Sequence, residues 1–349
     1  MPAAKFKSAK PIPSEGRGPI VSALVTDQDG IQYLVRKAKN AKGNLQLATE
    51  AQAVRAIRSA GTLPFKVPTL VADATTPEGQ TLHVLEFVYG SIIELDALRI
   101  SDPILRSLGH AISAVHGLNT DRIRQAGVPE YSANDVRENR IAELDRAAST
   151  GKVPASLLQR WESALEDLDL FRFNTTVVHG NISTGNALEL DGEVSGLIGW
   201  SNLHIGDPAE DFVTFAANID HDVLDSVRFT YLEKHADADA NLSQRATLYS
   251  ELAIANYLVA SISNNNMVEA DWAVAELETI AASVTDGSAR ALGRVSYSTL
   301  QPIVAEEELE TLVVAEPNVI IAEVNDTIDV SDLKTRPIEL PNTSDDQLF

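Results

Sequence analysis

The sequence predicts an α+β protein, with a small antiparallel sheet carrying one helix at the N-terminal end and a larger, mainly helical part after it. Three observations lead there. Residues 20–90 alternate strand-like runs and turns around a single helical stretch. From Asp102 onward, apolar residues recur at helical spacing. The chain has 349 residues and a 44% apolar fraction, enough to bury a sizeable core in more than one domain.

The elements follow in order. Ile20 to Thr26 and Ile31 to Arg36 are apolar-rich runs flanking Asp27-Gln28-Asp29-Gly30, a hairpin turn by composition. Over Leu45 to Ser59, the residues Leu47, Ala51, Val54 and Ile57 share one helical face. Two more strands are expected near Lys66 to Asp73 and Thr81 to Val88, parted by Thr76-Pro77-Glu78-Gly79. Strand, strand, helix, strand, strand is the order of an antiparallel sheet with one helix against it. Asp102-Pro103 then reads as an N-cap with proline in the first turn, and Ile104, Leu105, Leu108, Ile112 and Val115 mark a buried face. Further helices are expected over 135–149 and 155–168, short strands over 175–200 around Asp191-Gly192, and helix from Asp207 almost to Val284. Asp207-Pro-Ala-Glu210 has the form of a capping box. This gives a flexible N-terminus (1–19), a sheet lobe (20–90), a helical lobe (91–299) and an acidic, largely disordered tail (300–349).

Composition excludes several classes of function. With no cysteine there are no disulfides, thiolate metal sites or cysteine nucleophiles. The seven histidines include no pair at the spacing of a helical zinc site. No secretory signal or membrane-spanning run is present, so a cytoplasmic location is expected. The net charge of -22 argues against nucleic acid and anionic membrane as partners. Residues 301–349 hold twelve acidic and two basic residues, so -10 of that charge belongs to the tail, which could recruit a protein partner. The body is only moderately acidic.

Chemistry concentrates in three blocks. They are Val177-Val-His-Gly-Asn-Ile-Ser-Thr-Gly-Asn-Ala-Leu188, then Val194-Ser-Gly-Leu-Ile-Gly-Trp200, then Gly206-Asp-Pro-Ala-Glu-Asp211. In order and spacing they resemble the active-site run of the aminoglycoside and macrolide phosphotransferases and their choline-kinase-like relatives: His-Gly-Asp, three residues, Gly-Asn, a hairpin, Ile-Asp-Trp, then Gly-Asp-Pro followed by Asp. The resemblance extends over roughly residues 20–285 and implies a two-lobed, protein-kinase-like fold. It implies that Arg36, at the end of Tyr33-Leu-Val-Arg36, touches nucleotide phosphates and is held by Glu50. It implies that Glu86 and Val88, in Val84-Leu-Glu-Phe-Val-Tyr-Gly90, offer backbone groups to an adenine. Without the family order, Arg36 and Glu50 would be an ordinary surface pair, and His116 and His179 suit structural roles better than catalytic ones. Asp207 is explained by capping, although relatives also use it to brace the catalytic loop.

Two departures bear on activity. The family places its catalytic aspartate where this chain has Asn181, and its metal-binding aspartate where this chain has Gly199. An amide accepts a hydrogen bond but takes no proton near neutral pH, and loss of a general base costs roughly 10²- to 10⁴-fold in rate. Asn186 stands at the family's other metal position, but magnesium usually keeps at least one carboxylate. Among substitutes, Asp191 and Glu193 flank the hairpin away from the site, and Asp207 is engaged as a cap. Ser183 and Thr184 replace the family's usual His-Pro, which puts the loop geometry in question. The expectation is a pseudokinase or impaired phosphotransferase that still takes ATP or another nucleotide, with magnesium binding in doubt. The alternatives are an active ATP-dependent phosphotransferase acting on an alcohol group of a small hydroxylated or cationic molecule, and a scaffold acting through its acidic tail.

Overall fold

The structure, a computed structural model, describes residues 6–12, 18–218, 220, 222–235, 239–292 and 334–336. The chain divides into two compact units. One comprises Met1–Val54, Val67–Val88 and Glu307–Phe349, and the other Arg55–Lys66 and Tyr89–Glu306.

The first unit is an antiparallel sheet built from β1 (Phe6–Ile12), β2 (Ile20–Asp27), β3 (Gln32–Ala38), β4 (Leu70–Thr75) and β5 (Thr81–Glu86) in the order β1-β2-β3-β5-β4. Helix α1 (Ala41–Ala60) joins β3 to β4. The β2–β3 turn forms because the Asp27 carboxylate accepts from the backbone N–H of Asp29 (2.9 Å) and of Ile31 (2.8 Å). Tyr33, Ala72, Ala74, Leu82 and Val84 make the buried layer of the sheet. At the other end Asn44 clamps α1 to the β4–β5 turn, accepting from Thr81 N–H (2.8 Å) and donating to the Gly79 carbonyl (3.1 Å).

The expected flexible terminus, residues 1–19, contains a strand. β1 pairs with β2 along its length, with Ala9 opposite Val25 and Pro11 opposite Ala23. Every residue of β1 is exposed, so it carries no apolar alternation to announce it. Lys7, Lys10 and Pro11 are residues that suit an edge strand. Most of the acidic tail lies outside the described residues. Of it, Lys334–Arg336 pairs antiparallel with β4.

The second unit is mainly helical. In chain order it contains β6 (Ser91–Ile92), α2 (Ile104–His116), α3 (Thr120–Gln125), α4 (Ala133–Ala148), α5 (Ala155–Glu166), β7 (Thr176–Val178), β8 (Ala187–Leu190), β9 (Glu193–Leu197), β10 (His204–Gly206), α6 (Val213–Ala216), α7 (Asp222–Leu232), α8 (Leu242–Ser263) and α9 (Met267–Asp286). β6, β8 and β9 form one small sheet, and β7 and β10 another. The expected buried face of α2 is observed, with Leu105, Leu108, Ile112 and Val115 each at most 2% exposed. A methyl group at Gly109 would stand 2.5 Å from the Val227 carbonyl oxygen, so only glycine lets α2 and α7 cross this closely. Glu251 ties α8 to α5, accepting from Trp161 Nε1 (2.7 Å) and Arg160 Nη2 (2.8 Å).

Helix boundaries differ from expectation in two places. The Asp102 carboxylate does not cap α2; it accepts from Arg99 N–H (2.7 Å) and closes the preceding turn. The long helix expected after Asp207 is broken into a 3₁₀ turn (Pro208–Phe212) and α6 to α9, the last break being the Asn264–Asn266 link, where Asn265 adopts a φ of 54°. Among the described residues no helix is long and apolar enough to cross a membrane.

Candidate active site

β7 delivers His179 and Gly180 to the start of the loop 179–186, and a buried carboxylate holds them. Asp211 Oδ2 accepts from His179 N–H (2.9 Å), and Oδ1 accepts from Gly180 N–H (2.8 Å). His116 Nε2 lies 3.1 Å from Asp211 Oδ2, and its Nδ1 is 3.1 Å from the Tyr231 hydroxyl. Burial opposes the charge on Asp211, but the hydrogen bond and charge of His116, with help from His179, hold its pKa below the ordinary value.

His179 has a structural assignment. Its Nε2 donates to the Ile198 carbonyl (3.1 Å), its Nδ1 accepts from Asn181 N–H (3.2 Å), and its ring packs on Trp200 at 4.2 Å between centroids. Burial lowers its pKa below the ordinary 6.5. The folded state therefore binds fewer protons there than the unfolded chain, so this contribution to stability is complete above pH 6.5 and lost as pH falls below it. Asp211 acts in the same sense at lower pH. Stability is expected to decline from about pH 6.5 downward, by at most about 1.4 kcal/mol per pH unit from one group, and the melting temperature falls with it. Melts at half-unit intervals between pH 8 and pH 5 check this: the His179→Gln variant should show a flatter profile, and an equally steep one would remove His179 as the cause.

The remainder of the loop is closed by neutral side chains of its own and by one carboxylate outside it, Asp96. Ser183 Oγ donates to Asn181 Oδ1 (3.2 Å), and Asn186 Nδ2 donates to the Asn181 carbonyl (3.0 Å) and to Ser183 Oγ (3.3 Å). Asn186 N–H donates to the Ser183 carbonyl (2.9 Å). Thr184 Oγ1 accepts from Leu95 N–H (3.0 Å) and donates to Asp96 Oδ1 (2.9 Å). Ser183 and Thr184, the residues that put the loop geometry in question, are the ones that tie it together.

Gly199 follows β9 with φ 78° and ψ 42°, in the left-handed region. A Cβ there would lie 2.6 Å from Asn186 Oδ1, so the Asn186 amide occupies the space a side chain at 199 would need. Aspartate is among the few non-glycine residues that enter this backbone region readily, so the backbone itself would admit one if Asn186 moved. As it stands, the side-chain oxygens around Asn181 and Asn186 are amides and a hydroxyl. Among the described residues no group of three or more His, Asp or Glu side chains is arranged to hold a metal ion. This donor set does not suit magnesium, which needs near-octahedral oxygen ligation and usually a carboxylate.

Asp207 caps the 3₁₀ turn, accepting from Ala209 N–H (2.9 Å), but only half of the expected capping box forms. Glu210 turns instead toward Arg140 (3.1 Å) and His204 (3.4 Å). Asp207 also receives two hydrogen bonds from Arg245, at 2.6 and 2.9 Å, and one from the Tyr249 hydroxyl at 2.6 Å. Arg245 is itself fully buried, and it reaches Asp239 (2.7 Å) and the Leu170 carbonyl (2.9 Å). Asp207 is thereby committed and is no substitute metal ligand. Arg245 and Tyr249 carried no warning in the sequence beyond being polar within an apolar stretch. Asp211, the residue that braces the loop, closes the third block, and that position was its signal.

In the sheet unit, Arg36 on β3 forms an ion pair with Glu50 on α1, whose carboxylate is almost wholly buried. Glu86 ends β5, where its N–H donates to the Thr69 carbonyl (2.9 Å), and Val88 lies two residues further on. The residues singled out from the sequence thus fall in two groups: Asn181, Asn186 and Gly199 together in the helical unit, and Arg36 with Glu50 in the sheet unit.

Beside Asn181 a pocket of about 250 Å³ opens, lined by Asn181, Arg140, Glu210, Thr214, Tyr249 and Asn256 among others. Arg140 donates to Glu143 (2.9 Å) and Glu210 (3.1 Å) and lies 4.3 Å above the Tyr249 ring. Burial pushes the pKa of Glu210 up, against the opposing charges of Arg140 and His204.

Comparison with known proteins places this arrangement. Residues 9–245 match the model of the phosphotransferase enzyme family. The chain is 22% identical over 199 residues to the uncharacterized protein YcbJ of Bacillus subtilis, and 29% identical over 155 residues to viomycin phosphotransferase of Streptomyces vinaceus. Those matches cover 54% and 41% of this chain, and they span 64% and 52% of the length of the two relatives. Among solved structures, the GDP complex of wild-type aminoglycoside 2'-phosphotransferase-IIIa superposes with a TM-score of 0.65 at 16% identity, covering 80% of this chain and 93% of that one. The chain belongs to the phosphotransferase enzyme family, the family of the aminoglycoside and macrolide phosphotransferases.

Proposed function

We propose that this protein is a family member whose phosphoryl transfer is lost or severely impaired, and that it works as a ligand-binding module which still takes a nucleotide. The observation that carries the reading is the closed, uncharged loop: Asn181 and Asn186 are held by Ser183, and Asn186 fills the space beside Gly199. Phosphoryl transfer depends on positioning and charge neutralisation, and both carboxylates that would supply them are replaced. The two losses act on one machine, so their costs are not additive. Arg36, with its partner Glu50, and the backbone at Glu86 and Val88 are assigned to the nucleotide. Asn181 takes the catalytic position and Asn186 the remaining metal position. The nucleotide assignment is supported by the GDP bound to the aminoglycoside relative. We place the protein in the cytoplasm.

A second reading, an active ATP-dependent phosphotransferase acting on an alcohol group of a small molecule, is favoured by the Arg36–Glu50 pair and by the viomycin phosphotransferase relative. The scaffold reading rests on a tail that lies mostly outside the described residues.

A thermal-shift titration of ATP, ADP and GTP, with and without magnesium, separates the first two readings. A ligand that binds only the folded state adds about 2.7 kcal/mol at a hundredfold excess over its Kd. The wild type is expected to respond equally with and without magnesium. The Asn181→Asp/Gly199→Asp double variant is expected to gain a magnesium-dependent shift. Magnesium-dependent turnover by the wild type, abolished by mutation of the Asn181 loop, would establish the active reading instead.

A further inference from the structure

The pocket beside Asn181 has an unusual charge balance. The carboxylate and the guanidinium in its wall are Glu210 and Arg140, and they are paired to each other at 3.1 Å. Arg140 is further neutralised by Glu143 at 2.9 Å and covered on one face by Tyr249 at 4.3 Å. The other oxygen of Glu210 faces His204 Nε2 at 3.4 Å. The Tyr249 hydroxyl is spent on Asp207 at 2.6 Å. An ammonium group entering this space would meet no uncommitted carboxylate, and an anion would meet an arginine already held by two glutamates, with only its buried Nε unpaired. Either charge would be desolvated without compensation, which is costly.

Apart from the Nε of Arg140, which a neutral oxygen can satisfy, the polar groups that remain open are neutral. Asn256 lines the pocket from α8, and its side-chain amide has no hydrogen-bond partner among the described residues. The Asn181 amide uses its oxygen for Ser183 and keeps its N–H donors. Thr214 Oγ1 donates to the Ile182 carbonyl at 2.6 Å and keeps acceptor capacity. Val213 and Ala253 supply apolar wall. The volume, about 250 Å³, lies below the range of roughly 300–1,000 Å³ usual for drug-sized ligands and suits a single ring.

We propose that this pocket selects an uncharged, hydroxyl- or amide-bearing molecule of about one ring, held by the amides of Asn181 and Asn256, and discriminates against polycations and anions. The proposal rests on the reading of the Asn181 loop as the ligand-facing part of the helical unit. It does not rest on whether transfer survives.

The test uses the full chain without nucleotide or magnesium, so that loss or survival of transfer cannot affect it. Saturation-transfer NMR compares myo-inositol and other uncharged ring polyols with the diamine 2-deoxystreptamine and with myo-inositol 1-phosphate. The uncharged set is expected to bind at least about tenfold more tightly than either charged counterpart, and to lose that binding in Asn256→Leu. Because Asn256 is only partly buried on its helix, this variant should stay folded, which its melting curve checks. Asn256→Asp places an uncommitted carboxylate in the wall and is expected to raise affinity for 2-deoxystreptamine by about tenfold. Tighter binding of the diamine or the phosphate by the wild type would overturn the proposal. So would binding unaffected by Asn256→Leu, or an absence of binding by all three classes.

Discussion

Replacing Arg245 by leucine should lower stability by about 3–5 kcal/mol, because it leaves Asp207 charged and uncompensated in the core. The guanidinium is fully buried and donates to Asp207, Asp239 and the Leu170 carbonyl at once, while lying 4.3 Å above the Phe173 ring. Burial alone would depress the pKa of Arg245, but the charge of Asp207 and the bonds to Asp239 raise it, so the group stays ionised. For a unit of this size the loss corresponds to a fall in melting temperature of roughly 10 °C. Adding Asp207→Asn to Arg245→Leu removes the stranded charge and should recover part of that loss. A double variant no more stable than Arg245→Leu would mean that packing, not charge, is what Arg245 supplies.

Asp211→Asn should be nearly as damaging, and its effect should be localised. The carboxylate accepts from the N–H groups of His179 and Gly180 and from His116. An asparagine there can present one oxygen, and its NH₂ must face a donor, leaving a buried polar group unsatisfied at about 1–3 kcal/mol and removing the negative charge that the His116 ring faces. The total expected is about 3 kcal/mol. Hydrogen exchange should show faster exchange at residues 179–186 than in α5 or α9, which Asp211 does not touch. Uniform acceleration across the helical unit would show that Asp211 supports the core as a whole rather than the loop.

The sequence was most informative where one physical rule governs an element. The Asp27–Gly30 hairpin was legible because turn chemistry is local, and α2 because its apolar face is wide and regular. β1 was not, because an exposed edge strand needs no apolar alternation; what holds it is the backbone of β2. The breaks after Asp207 were hidden because helical spacing continues across them while the chain reverses at Asn264–Asn266. At the candidate site, the replaced positions 181 and 199 were visible from the motif alone. What the motif could not show was how Ser183 and Asn186 fill in for them, since that depends on side-chain directions within a loop. Nor could it link Asp207 to Arg245, 38 residues further on.

Helix α8 carries Arg245, Tyr249, Ala253 and Asn256 at intervals of four, four and three, so all four share one face. One end of that face is locked into the core through Asp207, and the other lines the pocket about 16 Å along the axis. The helix is thus a ruler as well as a wall. A change of side chain at either end alters the chemistry there and leaves the spacing intact. One residue gained or lost between Tyr249 and Ala253 would turn everything beyond it by about 100° and slide it by about 1.5 Å. Asn256 would then leave the pocket while Arg245 kept its place, so this stretch of chain can vary in lettering far more freely than in length.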